Sequence, residues 1–228
     1  LKILFEILPY CRNITVAIGL PYRLDGKLYN TSALIHDQKI AGFYAKQFLA
    51  NDGVHYEPRW FTAWPCNHVR EIPFYGENVP FGDVIFDING LRVGFEICED
   101  AWHFYERPLT RHYGKGIDIV LNPSASHFAF GKTQLREDLA VPASKNYQVA
   151  YVFSNLLGNE AGRMIYDGEI LIAQEGRLIR KNNRLSFKPV NVISASIDLD
   201  NPRATEGYLV EDESHKEIEF AKAEALGL

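Results

Sequence analysis

In the segment LRVGFEIC, the side chains of Leu91, Val93, Phe95 and Ile97 are apolar and alternate with Arg92, Gly94, Glu96 and Cys98. That two-residue period predicts a half-buried strand with Cys98 at its end, on the less apolar face. The preceding VIFDI run and the Asn89-Gly90 dipeptide make this strand the second arm of a hairpin. Further upstream, NITVAIGLPY (13–22) is an apolar run closed by a proline. After the turn residues Asp25 and Gly26, KLYNTSALIHD (27–37) predicts a second strand and KIAGFYAK (39–46) its hairpin partner. Residues 47–82 are rich in aromatics and prolines and weakly periodic, which predicts an extended active-site loop.

Downstream, GIDIVLNPSAS (116–126) is a buried strand running into a polar turn. KTQLREDLAVPASKNY (132–147) starts as a helix that Pro142 should kink or break. VAYVFSNLLG (149–158), YDGEILIA (166–173) and VNVISASIDLD (190–200) are further strands. The Ala/Glu-rich stretch SHKEIEFAKAEALGL (214–228) has the apolar spacing of a helix that leads out of the domain. Hairpins mixed with strand-helix-strand units indicate a mixed α/β sandwich, although the pattern leaves the topology open.

A chain of 228 residues with 46% apolar content can bury one substantial core. A net charge of -5 without a basic cluster argues against a nucleic-acid partner. No apolar run reaches membrane-spanning length and no signal peptide opens the sequence, so a cytoplasmic protein with no membrane partner is expected. Cys11, Cys66 and Cys98 form no even framework and no CxxC pair, as suits a reducing compartment. His55, Cys66 and His68 fit no closed zinc-site spacing, and no metal is expected.

Cys98 poses a chemical problem. A thiol is nucleophilic as the thiolate, yet Glu96, Glu99 and Asp100 are its sequence neighbours and would disfavour the anion. Catalysis by this cysteine therefore needs a cation or a hydrogen-bond donor brought from elsewhere in the chain.

Four segments in order, YAKQFLANDGVHYEPRWF, GFEICEDAW, LNPSASHFAFGK and YVFSNLLGNEAGRMIYDGEILI, resemble the carbon–nitrogen hydrolase (nitrilase) superfamily. Within it they are most similar to the glutaminase domains of glutamine-dependent NAD synthetases, over roughly residues 13–200. The resemblance implies a nitrilase-type αββα four-layer sandwich, incomplete at its N-terminus. It also implies a Glu-Lys-Cys triad that releases ammonia from glutamine for a synthetase domain of the same polypeptide, in a homo-oligomer. By resemblance Cys98 is the nucleophile, Lys46 the cation and Glu57 an auxiliary glutamate beside them. The backbone N–H of Glu99 and the Lys46 side chain would hold the oxyanion, and Trp102, Ser126 and Lys132 would line the glutamine pocket. Taken alone, Trp102 also reads as core, Ser126 as a turn residue and Lys132 as a surface lysine. Glu96 and Asp100 read as network partners in or near the site.

The resemblance also carries a departure. The general-base glutamate of the family precedes the strand corresponding to ITVAIGLP, and Glu6, the one acidic residue ahead of that strand, does not match its motif. The expected organisation is a hydrolase domain over residues 1–200 with its first strand and base segment missing. Residues 201–228 would be a linker and the start of a helix toward an absent synthetase domain, where ATP and magnesium would bind. A stand-alone amidase for another small amide and a non-catalytic scaffold lacking the base remain open readings.

Overall fold

The computed structural model describes residues 2–199 other than 161 and 163. Near its start lie helix α1 (Lys2–Ile7) and a 3-10 turn, Leu8–Tyr10. The first sheet contains β1 (Thr15–Leu24), β2 (Lys27–His36), β3 (Lys39–Ala45), β4 (Val69–Phe74) and β5 (Glu77–Gly82), in the order β1-β2-β3-β5-β4. The second contains β6 (Phe86–Ile88), β7 (Leu91–Phe95), β8 (Ile119–Ser124) and β9 (Ala150–Asn155). A short hairpin of β10 (Leu157–Glu160) and β11 (Met164–Asp167) follows, and β12 (Ile170–Gln174) and β13 (Arg177–Lys181) complete the second sheet in the order β13-β12-β9-β8-β7-β6. Helices α2 (Pro108–Arg111) and α3 (Lys132–Asn146) lie between strands of this sheet along the chain.

Three apolar clusters define the layers. Leu4, with Phe5 and Leu8 of the N-terminal segment, packs on Phe43, Ile72 and Phe81 of the first sheet. Leu34 and Tyr44 of that sheet meet Phe86, Val93 and Phe95 of the second. Leu139, Ala140 and Ala143 of α3 cover Val120, Tyr151 and Leu171 on the far face. The result is the expected αββα sandwich, each layer present because its apolar stripe has a partner. No helix among the described residues is long and apolar enough to cross a membrane.

The hairpin at Asn89-Gly90 forms as expected, with both residues at positive φ and Ile88 paired to Leu91. Residues 47–82 are not one long loop, because β4 and β5 form a hairpin within them. Pro73 and Pro80 hide their two-residue period. Pro73 lies on an edge strand, and β5 pairs with β3 only at Phe43–Phe81 and Tyr44–Gly82. Gly42 permits that approach, since a Cβ there would stand 2.5 Å from the Pro80 carbonyl oxygen.

Helix α3 runs through Pro142 to Asn146 without a break. Its buried Leu139, Ala140 and Ala143 continue the packing on both sides of the proline and outweigh its local cost of about 3 kcal/mol. The strand expected over 190–200 does not form among the described residues of that stretch. Val190 and Val192 are exposed and have no ladder partner there. The helix expected over 214–228 lies outside the described residues.

Candidate active site

Lys46 directly follows β3, Cys98 lies three residues past the end of β7, Ser124 ends β8 and Asn155 ends β9. The carboxyl ends of strands from both sheets thus converge on one cavity of about 720 Å³. Ligands of α/β sheets bind outside this end, where the strands hand the chain over to loops. Lys46, Glu57 and Cys98 all line this cavity, together with Asn30, His55, Ser124, Glu160 and Tyr166.

Cys98 does not continue the strand as its alternation suggested. β7 ends at Phe95, and Cys98 opens a 3-10 turn, Cys98–Trp102, at φ 48°. This is the left-handed region that a non-glycine residue occupies at a cost of roughly 1–3 kcal/mol, a strain found at functional turns.

The carboxylates beside Cys98 in sequence turn away from it. Glu96 is fully buried and accepts from Arg107 Nε at 2.8 Å, from the Leu109 amide at 3.0 Å and from the Tyr151 hydroxyl at 2.8 Å. Glu99 faces the His103 ring at 3.4 Å. Asp100 accepts from the amides of Gln47 and Phe48 at 3.0 and 2.8 Å, from the Ile97 amide at 3.0 Å and from the Tyr44 hydroxyl at 3.0 Å. Burial pushes the Cys98 thiol above its ordinary range. The Lys46 ammonium, the Ala125 amide and the Ser124 hydroxyl pull it back down, while Glu57 opposes them.

Lys46 is almost wholly buried and its Nζ stands 2.5 Å from Glu57 Oε2. The same oxygen accepts from the Ala50 amide at 2.7 Å, and Oε1 accepts from Asn30 Nδ2 at 2.9 Å. Glu57 begins a 3-10 turn, Glu57–Arg59, that points it back at the end of β3.

The remaining sequence-derived residues stand outside the cavity wall. Trp102 packs against the α3 cluster. Ser126 is buried, its amide donates to Asn155 Oδ1 at 2.8 Å and its carbonyl accepts from Asn155 Nδ2 at 2.8 Å. Lys132 donates to the His127 carbonyl at 3.0 Å, and the His127 ring stands 2.9 Å from His55, which does line the cavity. The wall is instead formed by Tyr56, Trp60, Phe61, Ser124, Ala125 and Tyr166. Sequence reasoning missed Asn30, Ser124, Glu160 and Tyr166. Of these Ser124 carried a signal as part of the NPSAS segment, and Glu160 and Tyr166 lay within the last of the four matching segments, Tyr166 in its YDG; Asn30 carried none.

The family model for carbon–nitrogen hydrolases matches residues 4–206. The chain belongs to the carbon–nitrogen hydrolase family. It is 28% identical over 219 residues to the glutamine-dependent NAD(+) synthetase of Drosophila melanogaster, covering 89% of this chain and 27% of that protein. To the putative glutamine-dependent NAD(+) synthetase of Schizosaccharomyces pombe it is 32% identical, over 86% of this chain and 29% of the other. Among solved structures, a glutamine-dependent NAD(+) synthetase from Cytophaga hutchinsonii superimposes with a TM-score of 0.78 at 54% identity, over 85% of this chain and 32% of that one. A carbon–nitrogen hydrolase from Helicobacter pylori shares the fold at 19% identity, with a TM-score of 0.65. The carbon–nitrogen hydrolase chain thus spans less than a third of the curated relatives it matches.

Proposed function

We propose that this chain is the glutamine amidohydrolase part of a glutamine-dependent NAD synthetase, and that its ammonia is used by a synthetase domain to amidate deamido-NAD with ATP and magnesium. The observation that carries the reading is the convergence of Cys98 with the Glu57-held Lys46 on one cavity, in a chain similar to proteins of that name.

The chemistry follows from the groups in place. Cys98 Sγ attacks the side-chain amide carbon, and the carbonyl electron pair moves onto oxygen. The Lys46 ammonium and the backbone N–H of Glu99, in the first turn after the nucleophile, stabilise that oxyanion. Collapse of the tetrahedral adduct breaks the C–N bond, ammonia leaves with a proton, and a thioester remains on Cys98. Water then attacks the thioester, giving glutamate and restoring the thiol.

Glu57 holds Lys46 in place. Its oxygens already accept three bonds, which suits an anchor better than a group that must take up and release a proton. By the resemblance the proton shuttle is a separate glutamate, to which Glu57 does not correspond.

For the substrate's amino-acid end, Glu160 supplies a carboxylate on the cavity wall, oriented by the Tyr166 hydroxyl at 2.8 Å, to meet the α-ammonium. The α-carboxylate faces His55, behind which His127 and Lys132 stand. Ser126 acts through Asn155, and Trp102 braces the turn that carries Cys98.

The test is an uncoupling experiment on the full-length protein. Cys98→Ala should abolish glutamine-dependent NAD formation and leave ammonia-dependent formation within a few-fold of wild type. Loss of both, or hydrolysis of butyramide as fast as glutamine, would count against the assignment and favour a stand-alone amidase.

A further inference from the structure

Lys46 and Cys98 follow strands of different sheets. The two sheets share no ladder, and among the described residues they meet through side chains such as Leu34, Tyr44, Phe86 and Phe95. Apolar contacts of that kind are non-directional and fix a separation only loosely. A carboxylate with four donors aimed at it is a different kind of joint.

We infer that Asp100 is a positioning residue that sets the separation of the Lys46 ammonium from the Cys98 thiol by tying the two strand ends together. The inference rests on the reading of Lys46 and Cys98 as the reacting pair. Asp100 is fully buried. Its Oδ1 accepts from the amides of Gln47 and Phe48, the two residues after Lys46. Its Oδ2 accepts from the Ile97 amide, one residue before Cys98, and from the hydroxyl of Tyr44, two residues before Lys46. Gln47 Nε2 donates to that hydroxyl at 3.1 Å, and the Tyr44 ring stacks on Phe95 at 5.5 Å between centroids. Capping of the 3-10 turn explains the bond to Ile97. It does not explain the two amides just beyond the end of β3, which point at the same carboxylate and can be satisfied only while the lysine strand end stays against the cysteine turn.

An ionised carboxylate accepts all four bonds, whereas its acid form must turn one oxygen into a donor. Burial raises the Asp100 carboxyl to about 6, against the opposing pull of the three amides and of Lys46. The titratable groups facing it are Lys46 and Tyr44 on the β3 side, and Asp83 and Glu96 act on Tyr44 from further off. Asp100→Asn keeps the shape, but its amide N–H₂ must oppose either Ile97 or the Gln47 and Phe48 amides, as the protonated acid does.

The experiment measures the alkylation rate of Cys98 by iodoacetamide against pH, with peptide mass mapping, in the full-length protein carrying Asp100→Asn, Tyr44→Phe or Lys46→Met. Asp100→Asn should move the thiol's profile upward by about one unit, a tenfold loss of rate near neutrality, and lower kcat while the KM for glutamine stays within about twofold. Tyr44→Phe, which removes one tie of four, should shift it in the same direction by less. A folded Asp100→Asn protein with a lowered melting temperature but an unmoved thiol profile would overturn the inference and leave Asp100 a fold-stabilising cap. If that variant fails to fold, an unmoved profile in Tyr44→Phe overturns it instead. A profile that moves with Lys46→Met but with neither other variant defeats this inference alone, and one that Lys46→Met leaves unmoved defeats the pairing of Lys46 with Cys98 as well.

Discussion

Lys46 and Glu57 form a near-buried ion pair at 2.5 Å on the wall of the cavity that holds Cys98. The carboxylate is itself pinned by Asn30 and by the Ala50 amide, so the ammonium is held at one point beside the thiol. Glu57→Gln removes the charge and keeps the length. We expect kcat for glutamine to fall by about 10²–10⁴-fold with KM changed little, because the ammonium is needed where charge develops. Steady-state kinetics on the full-length variant checks this. A loss confined to KM would make Glu57 a substrate-binding residue instead.

Glu160 should set the preference for an amino-acid substrate. A hydrogen bond to a charged group is worth about 1.5–3 kcal/mol, so Glu160→Gln should raise KM for glutamine roughly 10–100-fold. Glutaramate, which lacks the α-ammonium, should be handled equally by wild type and variant. Parallel losses on the two substrates would remove Glu160 from recognition.

Stability should depend on Arg136, which is fully buried and bonds Asp167 at 2.7 Å, Glu169 at 2.5 Å and the Ser126 carbonyl at 3.3 Å. Arg136→Met leaves two carboxylates without their shared cation and should cost about 3–5 kcal/mol in urea unfolding. Burial pushes the Asp167 carboxyl up, but Arg136 and Asn155 outweigh it and hold it below the ordinary range. A depressed folded-state pKa contributes stability above the unfolded value and loses it as pH falls through the folded one. The wild-type advantage contributed by Asp167 should therefore be full at pH 7 and shrink below about pH 4. A difference between wild type and variant that is constant from pH 7 to pH 3 would contradict this.

Most strands were legible because period-two runs and turn dipeptides such as Asn89-Gly90 are local signals, whereas the αββα layering came from the family resemblance alone, since pairing between distant strands leaves no local mark. The hairpin of β4 and β5 was not, since Pro73 and Pro80 erase that signal and only the edge position and the short ladder to β3 make them tolerable. The alternation in 190–200 failed for the opposite reason, because a periodic run becomes a strand only where a neighbour pairs with it. In the site, Lys46, Glu57 and Cys98 were found through their motifs. Asp100 was read as a network partner in or near the site with no further role, because its amide partners Gln47 and Phe48 lie 53 and 52 residues away. Glu160 sits in a hairpin with no apolar rhythm to mark which side faces the cavity.

The central claim, that Cys98 is the nucleophile of a glutamine-specific amidase, is tested most directly by labelling the full-length protein with a glutamine-analogue electrophile and mapping the adduct by mass spectrometry. The account predicts one adduct per chain, on Cys98, blocked by excess glutamine, with Cys11 and Cys66 unmodified. An adduct on Cys66, which is exposed and ordinarily the easier thiol to reach, with Cys98 left free would contradict it.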